Sequence, residues 1–567
     1  MAAQILPSVV EEPNAKQQSP SILHGPVDPP LSDLTLGELL ELQCQHNGEA
    51  DCISIPWTGA RWSYDDLRRQ SSLIARALLD EGIRHGDRVA IMAGNCEQYA
   101  AIFFAVVRIG AILVILNNTY TPSEAMYGLE FTACKIFFTT KKIGRTNNEP
   151  LLAQLSAKDD APKVVVLRGD GEGYRTYEDM ILQGSKQDPA WMYREETKVS
   201  TYDVCNLQFT SGTTGHPKAA MLTHHNIVNN SRFIGDRMRL TTDDVLCCPP
   251  PLFHCFGLVL GLLAAITHGA KIVYPAEVFD GPATIRAIQE EQCTALHGVP
   301  AMFDTLLALP EAASLEASNL RLRTGIIAGA PVPRYLMEQL VSKLGMTEFT
   351  SSYGLTEASP TCFNAFTDDP IHTRLSTVGT LMPHAHAKIV DRDGNTLPVG
   401  ERGELLMGGY QLCAGYWNNS EKTAEVMTHD ENGMLWLHTG DEAVFNEEGG
   451  ENIYPLEIEE RLMAHPSISL AVVVGLKDEH YGEVVGAFLD GKPTDKGTES
   501  HLTKAEVRDW VTKRLGKHKA PAHVFWMGEG GVPATVPLTG SGKVRKFELA
   551  KVGEEILSKR VGKEAKL

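Results

Sequence analysis

The sequence predicts an α/β protein: a large N-terminal domain of parallel sheets with helices plus a small β subdomain, followed by a small α+β C-terminal domain. Three observations predict it. Short β-rich runs ending in Gly, Pro or Thr alternate with helix-length amphipathic segments, the pattern of parallel sheets whose ligands gather at strand C-terminal ends. At 567 residues the chain is too long for one hydrophobic core. The texture of the sequence then changes twice, near Gly394 and again after Gly449.

Residues 1–30 are rich in Pro, Ser and Gln and read as a disordered tail. Residues 31–449 form the large domain. Within it "YDDLRRQSSLIARALLDEG" carries apolar residues at helical spacing and stops at Gly82. "RVAIMAG" reads as a short buried strand, and "KIFFTT", "KVVVLRG", "KIVYPA" and "GIIAGAPV" as further ones. The longest apolar run, "AIFFAVVRIGAILVILNNTY", is broken by Arg108 and Gly110. It reads as a buried helix and then a buried strand, so no transmembrane segment is expected. Near Gly394, "AKIVDRDGNTLPVGERGELLMGG" sets a D-G turn between short alternating strands, which suggests an antiparallel subdomain. Residues 450–567 contain "PLEIEERLMAHP" as helix, "LAVVVGL" as strand and "AEVRDWVTKRL" as helix, a separate small unit.

Hydrophobic residues are 43% and charged residues 22%, the balance of an ordinary soluble globular protein. Lys and Arg total 52 against 71 Asp and Glu, a net charge of -19. That acidity argues against nucleic acid or an anionic membrane as the main partner, while leaving room for small anions held by local fields. The 11 Cys include no C-x-x-C pair, and the opening "MAAQILPSVVEEPNAK" has no apolar signal core. Reduced thiols in an intracellular compartment are expected. The terminal Ala565-Lys566-Leu567 is close to the S-K-L peroxisomal address, which makes a peroxisomal import receptor an expected partner. The alternative is a frayed polar tail on a cytoplasmic protein.

The stretch "TSGTTGHPKAAMLTH", Thr210–His224, concentrates chemistry. Gly212 and Gly215 permit backbone conformations that aim several N–H groups at one point. Thr210, Ser211, Thr213 and Thr214 add hydroxyl donors, Lys218 adds a positive charge, and Pro217 stiffens its approach. The fitting guest is a polyphosphate. The spacing is not that of the Walker loop.

T-S-G-T-T-G-x-P-K resembles the phosphate-binding signature of the adenylate-forming superfamily, which contains acyl- and aryl-CoA synthetases, adenylation domains and firefly-type luciferases. The resemblance runs from about Asp33 to Lys546, with further motifs in the family's order. "SSYGLTEASP" looks like its Y-G-x-T-E motif. By that likeness Tyr353 would stack on adenine, Thr356 would bind a phosphate oxygen, and Glu357 would ligate Mg²⁺. "IIAGAPV" resembles the segment beside the adenine, where Gly329 and Ala330 would leave room for the base; the same small residues also suit tight strand packing. "WLHTGDEAVFNEEG" resembles the T-G-D motif, with Asp441 on the ribose hydroxyls. "PLTGSGKVRK" resembles the loop whose lysine, here Lys543, neutralises charge growing on the α-phosphate. His254 lies where acyl-CoA synthetases often gate the acyl and thiol channels, though between Phe253 and Phe256 it reads equally as a core histidine. The apolar segment after His254 lacks the Asp that amino-acid-activating relatives use for an ammonium, so an uncharged tail on the carboxylate substrate is favoured.

The resemblance implies ATP-dependent activation of a carboxylic acid as acyl-adenylate with release of pyrophosphate. Transfer to a thiol follows, while a small C-terminal lid domain rotates. CoA is the expected thiol, with a carrier protein as the alternative acceptor. One departure stands out. Relatives continue from T-G-D into a G-R-x-K-D hinge, whereas this chain passes from "DEAVFNEEG" straight to "GENIYPLEIE". An error in the gene model, a variant with altered activity, and an inactive nucleotide-binding homologue all fit that junction.

Overall fold

The interrupted apolar run forms the middle of the molecule. The helix Glu97–Arg108 is buried along its whole length, and the chain turns at Gly110 (φ +69) into the strand Ile112–Ile115. Glycine takes that backbone angle without the Cβ clash that other residues would meet. Arg108 at the end of this helix is fully buried and carries the expected compensation. It donates to Glu196 at 2.6 Å and pairs with Glu41, so a buried cation has two carboxylates.

We describe a computed structural model over residues 19–169, 171–210, 217–329, 332, 334–445, 451–453, 457–478, 482–492, 501–514, 520–537 and 544–564. Two large sheets flank the central helix. In the seven-stranded sheet Arg175–Thr176, Lys163–Val166, Ile136–Thr139, Arg88–Met92, Ile112–Ile115 and Val204–Thr210 run parallel, and Lys218–Thr223 closes one edge antiparallel. The nine-stranded sheet has a parallel centre that includes Val245–Cys247, Ala295–Leu296, Thr324–Ala328 and Glu348–Gly354, with antiparallel strands at its edges. Both fit strands that read as continuous apolar runs, because helices cover their faces. The helices start where side chains cap them. Ser63 and Asp66 form a capping box on Tyr64–Asp80, and Thr223 and Asn226 form one on His224–Met238.

The subdomain after Gly379 is an antiparallel six-stranded sheet that includes Ala385–Val390, Gly403–Gly409 and Leu435–Phe445. The C-terminal unit pairs Ile468–Asp478 with Gly482–Gly491 antiparallel and adds His523–Trp526 parallel. The helices Glu457–Met463, Lys504–Thr512 and Lys546–Glu564 accompany it. The α/β architecture with a large first and a small second domain is as the sequence predicts.

Two details differ from expectation. Of the disordered tail expected over 1–30, residues 1–18 lie outside the described residues, and residues 19–30 are described. Ile22–His24 is a strand paired antiparallel with Ala385–Val390, and Ser21 Oγ donates to the Pro398 carbonyl at 2.9 Å. Its composition is that of a tail, but an edge of the distant sheet completes its backbone hydrogen bonds. The strand Glu451–Ile453 pairs with the end of Leu435–Phe445, so it belongs to the subdomain's sheet rather than to the unit expected from 450 on. The phosphate turn joins two antiparallel strands, with Lys218–Thr223 standing between it and the helix His224–Met238. No disulfide joins any of the 11 cysteines. Among the described residues no helix is long and apolar enough to cross a membrane.

Candidate active site

Thr210 ends one strand of the hairpin and faces Lys218, the first residue of the other. Ser211, Gly212, Thr213, Thr214 and Gly215 lie outside the described residues, so the structure fixes the two ends of the turn. Lys218 Nζ stands 5.0 Å from the centre of the Tyr416 ring, a cation–π contact. The Tyr416 hydroxyl donates to Glu357 Oε1 at 2.7 Å. Burial and the neighbouring Glu357 charge push the Tyr416 phenol far above its ordinary range, which keeps it a donor.

Glu357 sits on the short helical turn Thr356–Ala358, directly after the strand Glu348–Gly354 that carries Tyr353. Gly354 is required there: a Cβ would meet the Pro360 carbonyl oxygen at 1.9 Å. The Tyr353 hydroxyl donates to Asp441 Oδ2 at 2.6 Å, and the Asp441 backbone N–H donates to Thr439 Oγ1 at 3.1 Å. Contacts therefore run Lys218–Tyr416–Glu357, and after three residues of chain Tyr353–Asp441. Two sheets and the subdomain meet along this line, at strand C-terminal ends where open α/β sheets bind ligands.

Gly329 (φ +84) follows the strand Thr324–Ala328, whose last residue pairs with Ser352 beside Tyr353. Ala330 lies outside the described residues. His254 is half-buried, its Nδ1 accepting from the Phe256 N–H at 3.1 Å. The next residue, Cys255, donates through its thiol to Gln208 Oε1 at 3.3 Å, which places this segment against the strand that ends at Thr210. A π-helix, Phe256–Leu263, begins at once. Its glycines allow close packing: a Cβ on Gly257 would meet the Pro251 carbonyl at 2.2 Å, and one on Gly261 the Cys248 sulfur at 2.6 Å. Such helices are rare and frequent at functional sites.

Lys543 also lies outside the described residues, while the chain on either side of it, at Pro537 and from Val544 on, is described. The Arg545 N–H donates to the Pro537 carbonyl at 2.8 Å, and Lys546 Nζ donates to the buried Glu459 Oε1 at 2.8 Å.

Thr210, Lys218, Gly329, Tyr353, Thr356, Glu357, Asp441 and His254 are thus linked by direct contact, strand pairing or chain adjacency. Sequence reasoning missed Tyr416, whose only signal is the Gly415-Tyr416 pair at the end of an irregular stretch. It also missed Gln208 and His297. Fully buried, His297 donates through Nε2 to the Leu260 carbonyl at 2.9 Å and accepts the Ile326 N–H at Nδ1 at 3.0 Å, tying the π-helix to the strand before Gly329.

The profile of the AMP-binding enzyme family matches residues 40–417, and that of the AMP-binding enzyme C-terminal domain residues 457–543. The chain is 70% identical over 554 residues to the acyl-CoA ligase sidI of Beauveria bassiana, covering 95% of each chain. It is 55% identical to the acyl-CoA ligase sidI of Aspergillus fumigatus, covering 96% of this chain and 95% of that one. The second alignment runs over 573 positions against 567 residues here, so that relative carries positions this chain lacks. Among solved structures, an ATP-bound RpMatB–BxBclM chimera matches with a TM-score of 0.76 at 25% identity, covering 92% of this chain and 99% of that one. By profile, by sequence and by fold, the chain belongs to the AMP-binding enzyme family, the adenylate-forming superfamily, among its acyl-CoA ligases.

Proposed function

We propose that this chain joins a carboxylic acid with an uncharged, apolar or weakly polar tail to CoA at the expense of ATP, by way of an acyl-adenylate. The observation that carries this reading is the line of contacts from Lys218 through Tyr416 to Glu357, beside Tyr353 and Asp441.

Each residue then has a task. The turn from Thr210 through Gly215 cradles the β- and γ-phosphates with backbone N–H groups and hydroxyls, and Lys218 supplies charge. Tyr353 lies on the adenine, for which Gly329 and Ala330 leave space. Asp441 accepts from the ribose hydroxyls, and Thr356 donates to a phosphate oxygen. The donor set fits Mg²⁺. One Glu357 oxygen is held by Tyr416, the other has no partner among the described residues, and this ion takes one or two carboxylates and completes its shell with water and phosphate oxygens. When bound, it supplies neutralising charge at the departing pyrophosphate. Lys543, in the segment just before Arg545 and Lys546, meets the α-phosphate as the carboxylate attacks. His254 gates the path between acid and thiol. We place the unit boundary between Ile453 and Glu457, with the second unit as the lid. The Ala565-Lys566-Leu567 sequence supports a peroxisomal destination, to be tested by fusing the chain with and without that tripeptide to a fluorescent reporter.

Pyrophosphate release with a panel of fatty, aryl and hydroxy acids tests the reading, followed by addition of CoA or a phosphopantetheinylated carrier to the adenylate. Acid-dependent release ending in acyl-CoA supports it. Release that ends only on the carrier replaces the acceptor, and no acid-dependent release contradicts the activity.

A further inference from the structure

We propose that Tyr416 is a positioning residue that sets Glu357 and Lys218 at once, holding the metal-directed carboxylate and the phosphate-directed ammonium in place and apart. The inference rests on the functional reading above and adds to it a side chain that lies outside the motifs carrying the family resemblance.

The first support is geometric. Tyr416 is 6% exposed, and two different faces of one side chain meet the two charged groups: the hydroxyl meets Glu357 at 2.7 Å, and the ring lies under Lys218 at 5.0 Å. Among the described residues Lys218 and Glu357 form no ion pair with each other or with another residue. Opposite charges that share one neighbouring side chain would pair directly if they came together, which would cost the site both its metal ligand and its phosphate ligand. Tyr416 gives each a weaker, directional partner that a metal or a phosphate can outcompete.

The second support is the backbone around it. The Ala414 N–H donates to the Met221 carbonyl, the Met221 N–H to Gly415, and the Trp417 N–H to Ala219, at 2.8 to 2.9 Å. The Cys413 N–H donates to the Glu357 carbonyl at 2.8 Å, and the Tyr416 N–H donates to Thr423 Oγ1 at 2.9 Å. One loop is therefore stitched both to the strand that starts at Lys218 and to the turn that carries Glu357. Gly415 (φ +112) makes the turn that brings Tyr416 round. The ring is fixed by a scaffold shared with both of its partners, as a residue that holds a distance between them must be.

Two variants separate positioning from plain packing. Tyr416→Phe keeps the ring and removes the hydroxyl; Tyr416→Leu removes ring face and hydroxyl while keeping bulk. The readouts are Mn²⁺ affinity in the presence of a non-hydrolysable ATP analogue by electron paramagnetic resonance, analogue affinity in EDTA, the Mg²⁺ dependence of pyrophosphate release, and Tm.

For Tyr416→Phe we expect Mn²⁺ affinity to fall about tenfold, with analogue affinity in EDTA and Tm close to wild type. For Tyr416→Leu analogue affinity in EDTA falls as well, because Lys218 is released to pair with Glu357, and Lys218→Gln added to it brings no further loss. A Tyr416→Phe protein with wild-type Mn²⁺ affinity and Mg²⁺ dependence overturns the inference. So does a loss of affinity in either variant that merely tracks Tm. A wild type that binds the analogue and Mn²⁺ while Tyr416→Phe matches it leaves the functional reading standing and removes the inference alone. A wild type that binds neither removes both.

Discussion

The Tyr353 hydroxyl donates a 2.6 Å hydrogen bond to Asp441 Oδ2, joining two motifs that lie 88 positions apart in the chain. The tyrosine comes from the end of a parallel strand, and the aspartate from an antiparallel strand of the subdomain. Burial first, and the Asp441 charge second, hold the phenol well above its ordinary range, so it remains a donor at any working pH. One residue thus supplies a flat apolar ring and orients the carboxylate beside it. Tyr353→Phe keeps the ring and frees the carboxylate. Initial rates over a range of ATP should show the KM for ATP raised about tenfold with kcat little changed, the effect of one hydrogen bond to a charged group. An unchanged KM would mean that Asp441 needs no orienting partner.

His297 makes the fold acid-sensitive. Burial drives its pKa from the ordinary 6.5 down to about 4, against the opposing effect of its bond to the Leu260 carbonyl. Its Nδ1 already accepts the Ile326 N–H, so a second proton would break that bond. The unfolded imidazole takes up its proton near pH 6.5 and the folded one only near 4, so stability is full above that window and falls as pH drops through it. At pH 5 the loss is roughly 2 kcal/mol. His224, also buried and lowered to about 4, adds a similar slope. Urea denaturation at pH 7.5 and 5.0 should show His297→Asn less stable at both, with about half the wild-type difference between the two pH values. The same difference in both proteins would contradict the assignment.

Lys546 holds the start of the last helix, which follows Lys543 in the chain. Its ammonium meets Glu459, whose Oε1 also accepts the Val473 N–H at 2.7 Å, so the start of the last helix is pinned to the sheet of the second unit. Lys546→Met loosens that attachment without touching a phosphate contact. Single-turnover adenylation should slow about three- to tenfold with the KM for ATP unchanged, as misplacement of a reacting group does. A change in KM alone would speak against the anchoring role.

Where the family resemblance expects a G-R-x-K-D hinge, this sequence passes from "DEAVFNEEG" straight to "GENIYPLEIE". Phe445 pairs with Glu451, and residues 446–450 between them lie outside the described residues. Inserting at that junction the G-R-x-K-D segment that the resemblance expects should raise the rate of thioester formation by about tenfold or more, as the proposed lid rotation requires. Equal rates would show that this chain turns its lid without the longer hinge.

Much of this was legible in the sequence, and the parts that were not share a physical cause. Burial on all sides leaves a long apolar run, so the helix Glu97–Arg108 and the strand after it stand out, as do the capped helix Tyr64–Asp80 and the D-G turn near Gly394. Tyr353, Glu357 and Asp441 were found because order and spacing of several motifs mark them, not because any one is distinctive. The strand Ile22–His24 was hidden, since its partner at His386 lies 362 positions away and its own composition is that of a tail. The strand Lys218–Thr223, "KAAMLT", is rich in small residues and showed no alternation that sets it apart from the turn before it. Tyr416 was invisible for a similar reason: its importance lies in what two other segments bring to it.

The most direct test of the central claim is acid-dependent pyrophosphate release by wild type and by Lys543→Ala, with transfer from preformed acyl-adenylate to CoA measured alongside. The account predicts release in the wild type, a loss of 100-fold or more, about the cost of removing one charge-stabilising group, in Lys543→Ala, and transfer to CoA within a few-fold of wild type in both. Release that ignores the acid, or a Lys543→Ala protein that adenylates as fast as wild type, would contradict it.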